Sequence, residues 1–214
     1  HKRVSASAFL NRAEQKSLLA SQEGDEHKYD EDIRQDLESA HKAGLDIEAY
    51  DSKDLEKAKK RGIPLDDSQF VQDHYTSAIL YKSLKEYTKA LMDLNKGIKW
   101  IREDINTRED INTLDSPSFF FAVDSFRVRG EVRQILGDQL GAIDDFNQYL
   151  KYESKLSIGD RGNVYHHRAL SRLALSDFQG AKSDLLIAKP LLFEANYIVE
   201  WKQVVDLLNT FKWN

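Results

Sequence analysis

Along this chain apolar residues return at three- and four-residue steps, and the two-residue alternation of half-buried strands is scarce. That spacing lays apolar side chains along one face of a helix. Only three prolines and ten glycines interrupt it, so long stretches are free to be helical. The expectation is an all-α chain. Near its end, residues 194–213 carry Ile198, Trp201, Val205, Leu208 and Phe211 as one apolar stripe, which predicts a helix capping the last element.

The helical pattern repeats. "FRVRGEVRQILGDQLGAIDDFNQYL" at 126–150 aligns with "YHHRALSRLALSDFQGAKSDLLIAK" at 165–189. Gly130 falls on Ala169, Arg129 on Arg168, Arg133 on Arg172, Asp138 on Asp177 and Ala142 on Ala181. A third copy, 74–98, keeps Ala78, Tyr81, Tyr87, Ala90 and Leu94 in register. Small residues at Ala78, Gly130 and Ala169 let a second helix approach, as do Ala90, Ala142 and Ala181 from that helix. Tyr81, Leu94, Phe146, Phe178 and Leu185 are sized to fill the space between, with chain reversals at Lys85-Glu86, Gly137-Asp138 and Ser176-Asp177. A worn fourth copy opens the chain, with "FLNRAEQKSLLA" and "YDEDIRQDLESAHKAG" as its two helices.

These residues resemble the tetratricopeptide repeat, a helix–turn–helix unit of about 34 residues, and "LGDQLGAIDDF" is the most specific piece. The resemblance implies an all-α, right-handed α-solenoid of such repeats with a C-terminal capping helix. The expected organisation is a single domain over 1–214: a degenerate repeat at 6–44, a connecting helix at 45–67, a repeat at 68–105, an insert at 106–116, repeats at 117–154 and 160–192, and the cap at 194–213. Against the family pattern, glycine is missing at two of the three turns, and Arg133 and Arg172 stand where an aromatic is usual.

The insert carries a duplication: Arg-Glu-Asp-Ile-Asn-Thr at 102–107 returns at 108–113. Six residues are not a whole number of turns, so inside a packed helix the duplication would rotate everything after it off its core. The buried stripe Ile98, Ile101 and Ile105 runs out at Arg108 and Glu109, and Asp115-Ser116-Pro117 is a start signal for a new helix. The duplication therefore belongs between stacked units, where neither packed helix must change phase.

Composition narrows function mostly by exclusion. With 41% hydrophobic and 31% charged residues the 214-residue chain is expected to be a soluble protein with a core of its own. No apolar run approaches the ~18–20 residues of a membrane span. A net charge of −5, spread along the chain, disfavours nucleic acid as a partner. The absence of cysteine removes thiolate chemistry and cysteine-based zinc sites. The chain opens at His1, which predicts residues preceding it in the gene or a cleaved segment. A cytoplasmic location is favoured; an exported form stays open.

No catalytic motif, metal helix or phosphate loop is present, so no catalytic residue, metal or cofactor is expected. His166-His167 are adjacent and point about 100° apart on a helix, which reads as one groove-lining and one packed histidine. The acidic run 24–36 lacks calcium-loop spacing and reads as a solvated helix face. In the family, first helices line a groove that binds peptides or partner helices. By resemblance the groove positions here are Tyr75, Ile79 and Lys82, then Arg127, Glu131 and Gln134, then Asn163, His166 and Leu170. The carboxylate clamp of some members is missing: Leu10, Glu14, Thr76, Asp124 and Val128 occupy its positions. The expected function is thus a non-catalytic scaffold or adaptor for a protein or peptide segment. The alternative is a self-associating structural subunit that uses its C-terminal helix or convex face, and the oligomeric state stays open.

Overall fold

The computed structural model describes residues 2–45, 67–105 and 117–210, with side chains over 6–43, 71–99 and 120–210. The connecting helix expected at 45–67, apart from its two end residues, and the whole of the insert expected at 106–116 lie outside the described residues. Among the described residues every regular element is helical. In order they are α1 (Lys2–Glu23), α2 (Asp30–Ala40) with a π turn at His41–Leu45, α3 (Asp67–Ser83), α4 (Tyr87–Ile105), α5 (Pro117–Ile135), α6 (Gln139–Leu150), a 3₁₀ turn at Glu153–Lys155, α7 (Ile158–Ala174), α8 (Phe178–Glu194) and α9 (Ile198–Thr210). The described residues have an all-α fold of antiparallel helical hairpins. The chain divides into two compact units, His1–Ala122 and Val123–Asn214.

One device makes the turns. Gly24, Lys85, Gly137, Ser176 and Asn196 have positive φ between 61° and 88°. In each case the next amide donates to a carbonyl five residues back: Asp25 to Ala20, Glu86 to Tyr81, Asp138 to Arg133, Asp177 to Arg172 and Tyr197 to Leu192, at 2.8–3.1 Å. This closes the helix end by a left-handed residue and satisfies an otherwise orphaned carbonyl. The three non-glycine residues hold a conformation that costs roughly 1–2 kcal/mol. The turn geometry expected at Lys85 and Ser176 is therefore kept without glycine. Downstream, the carboxylates of Asp138 and Asp177 accept from the Gly141 and Gly180 amides at 2.9 Å and start α6 and α8.

In the first unit α1 packs on α2 and α3 on α4. Ala13 and Leu37 are buried in one hairpin, and Ala78, Leu94 and Ile98 in the other. Ser7 on α1 donates to the Asp73 carboxylate on α3 at 2.9–3.0 Å, joining the hairpins.

The second unit packs α5 on α6 and α7 on α8. A Cβ placed on Gly130 would lie 2.6 Å from the Phe146 ring, so glycine here is what lets a phenylalanine fit. Ala169, Ala181, Leu185, Ala188, Leu192 and Val204 form the neighbouring core, with Trp201, Leu207 and Leu208 packed against it. Helix α9 thus covers the end of α8, as a cap should. Its buried stripe is centred on Val204, whereas Ile198 of the expected stripe is 39% exposed. Trp201, Val204 and Leu208 share a narrower arc than the expected set, and α9 has turned that arc inward.

Candidate functional site

Each of the four hairpins buries an aspartate on its second helix. Asp36, Asp93, Asp145 and Asp184 occupy equivalent places on the second helix of each hairpin, and none is more than 2% exposed. Arg129 holds Asp145 through two bonds of 2.6 and 2.9 Å, and Arg133 adds a third at 2.9 Å. Arg168 and Arg172 repeat this on Asp184 at 2.6, 2.9 and 2.8 Å. Arg133 and Arg172 also donate to the Gly141 and Gly180 carbonyls at 3.1 Å, pinning the first turn of the partner helix. In the opening hairpin Arg12 and Lys16 take those places on Asp36. Burial alone would raise the Asp36 carboxyl, but these two cations hold it below the usual carboxylate range. The hairpin of α3 and α4 differs: Ser77 donates to Asp93 at 2.5 Å, and His74 and His41 lie 3.4 and 3.6 Å away. These are structural pairs between two helices of one hairpin, and they give Arg133 and Arg172 their place in the packing.

The groove positions divide between the units. Tyr75, Ile79 and Lys82 are half-buried on α3, and the Tyr75 ring packs 5.3 Å from Phe121. In the second unit Arg127 is gripped from its own helix, by Asp124 at 2.6 and 2.7 Å and by Glu131 at 2.6 Å. Tyr149 of α6 is 1% exposed beside this cluster. Burial first, then the charges of Asp124 and Asp160, push its hydroxyl well above the ordinary tyrosine range.

Gln134 belongs to the same α5 stripe, since 127, 131 and 134 are spaced as neighbours on one helix face. Its amide donates to the His167 carbonyl and to Ser171 Oγ, both at 2.9 Å, and its Oε1 lies 2.9 Å from His167 Nδ1. His167 shares a stripe of α7 with Asn163 and Leu170 at the same spacing. The two stripes meet at Gln134 and His167 and form one continuous face. Leu170 and Asn163 are half-buried on it, and Asn163 Oδ1 is buried with no hydrogen-bond partner.

His166 is placed differently from its neighbours on that face. It is 3% exposed, its Nδ1 is also without a hydrogen-bond partner, and burial, with a smaller contribution from His167, depresses its pKa to about 4. It is neutral at ordinary pH. Of the histidine pair, His167 makes the bridge between helices and His166 is the interior one. Sequence spacing could not decide between them, because one residue is only 100° of helix.

Among the described residues no group of three or more histidine or acidic side chains is placed to hold a metal ion. No described helix is long and apolar enough to cross a membrane. No family model and no curated protein matches the chain. Among solved structures, the TPR2AB-domain:pHSP90 complex of yeast Sti1 is similar over 95% of this chain and 96% of that one, at 12% identity and a TM-score of 0.38.

Proposed function

We propose that this chain is a non-catalytic interaction scaffold that binds an extended protein segment along the first helices of its hairpins. In the second unit the surface is the α5–α7 face, with half-buried Arg127 and Gln134 on one side, Glu131 buried in its pair with Arg127, and Asn163, His167 and Leu170 on the other. His166 backs this face from the interior. In the first unit the counterpart is Tyr75, Ile79 and Lys82 on α3. The observation that carries the reading is the Gln134 bridge, which fuses two polar stripes into a single face. That face combines ordered polar side chains with a half-buried apolar contact at Leu170, a mixture that suits an extended segment.

The test is cross-linking from within the face. A photo-reactive phenylalanine at Leu170, with one at Leu140 as the control, is exposed to native extract and the captured segments are sequenced. Recurrent capture of one segment at Leu170, lost in Arg127→Ala/Glu131→Ala with helicity intact, is the expected result. Capture that is equal at both positions, or that survives the double variant, overturns the proposal.

A further inference from the structure

The far side of the second unit carries a surface that the groove does not use. Between Leu186 and Val199 the chain exposes an unusual run of large apolar side chains, with Leu186 at 56%, Phe193 at 63% and Val199 at 66%. On α8 the run is ordered: Leu186, Pro190 and Phe193 succeed one another at four and three residues, so they form one stripe. Phe193 extends it onto α9, where its ring lies 5.6 Å from Trp201. Trp201 itself packs on the core, so the stripe rests on a fixed base.

Single exposed apolar residues are ordinary on protein surfaces; a contiguous stripe marks a contact site. Charge decides what kind. Lys182 and Lys189 lie seven residues apart on one edge of the stripe, and neither forms an ion pair among the described residues, whereas Arg168 and Arg172 on the neighbouring helix are fully engaged. A lysine flank that is unmatched within the unit favours an occupant with acid on the facing edge.

We infer that the outer face of α8 docks an amphipathic helix of a partner protein, its apolar stripe seated on Leu186, Pro190 and Phe193 and its acidic edge against Lys182 and Lys189. The site is on the opposite helix layer from the groove, so both can be filled together. Binding is driven by apolar burial, with the lysines setting orientation and partner choice.

Two synthetic helical peptides of about five turns test this. Both carry leucine at the i, i+3, i+4 and i+7 positions; one has glutamate on its flanks and the other lysine. Fluorescence anisotropy against the intact protein should give the glutamate peptide at least tenfold tighter binding, about 1.4 kcal/mol. Leu186→Asp/Phe193→Asp should abolish it, and Lys182→Glu/Lys189→Glu should reverse the preference. Leu186, Lys189 and Phe193 are exposed and Lys182 half-buried, so the fold is expected to survive the changes, as circular dichroism would verify. Equal binding of both peptides, or binding indifferent to the four substitutions, refutes the site. Light scattering supplies the other decisive outcome: a dimer dissolved by Phe193→Asp would make a second copy the occupant and overturn the heterotypic reading.

Discussion

Gly130 and Phe146 offer the sharpest check on how these hairpins are packed. In the other three, the equivalent pair is alanine with leucine: Ala13 with Leu37, Ala78 with Leu94, and Ala169 with Leu185, all 1% exposed or less. Gly130→Ala would normally help, since glycine inside a helix costs about 0.5–1 kcal/mol relative to alanine. Here the new methyl would sit 2.6 Å from one Phe146 ring carbon and 2.8 Å from another. Overpacking of a full core costs about 1–3 kcal/mol, so the net effect should be a loss of about 1–2 kcal/mol. Phe146→Leu alone leaves a gap and should also cost about 1–2 kcal/mol. The double variant restores the pair that the sister hairpins use, and should return to within about 0.5 kcal/mol of the starting protein, a coupling of about 2–3 kcal/mol. Urea denaturation of all four proteins, monitored by far-ultraviolet circular dichroism, gives the cycle. Simple addition of the two losses, or a Gly130→Ala variant that gains stability, would refute the packing argument.

Charge supplies two further tests. Asp184→Ala strands two arginines whose side chains are 13% and 22% exposed, and should cost about 3–5 kcal/mol; Arg172→Met in that background should recover part of it, again by urea midpoint. His166 is depressed from 6.5 to about 4, so the unfolded chain takes up its proton first. Its stabilising effect is complete above pH 6.5 and is lost as pH falls towards 4, by about 3 kcal/mol at 1.36 kcal/mol per pH unit. Denaturation at pH 7.5 and at pH 4 should therefore show a drop that is smaller by this amount in His166→Leu; equal drops would remove the assignment.

Most of the fold could be read from residue spacing. The turns at Lys85, Gly137 and Ser176 were legible because a fresh helical pattern begins after each, even where glycine is absent. The aspartates were not. An isolated Asp145 or Asp184 reads as surface, and its burial depends on a guanidinium from another helix. Yet the signal was present: Arg129, Arg133 and Asp145 recur together as Arg168, Arg172 and Asp184, at one common offset of 39 residues. Three charges kept in step are harder to explain as solvated than one. The candidate face was legible only as a set of stripes. Spacing placed Gln134 on α5 but could not reveal that it is spent on α7, nor that His166 turns inward while His167 stays at the junction.

The repeated charge triads have a less obvious cost. Because α6 and α8 bring the same aspartate to the same two arginines, electrostatics would accept the wrong match, α5 with α8 or α7 with α6, as readily as the right one. Size is what distinguishes them. Phe146 fits over Gly130 and collides with Ala169, while Leu185 over Gly130 leaves a hole. During folding, and when two chains could exchange hairpins, that single glycine acts as the identity mark that tells each helix which neighbour is its own.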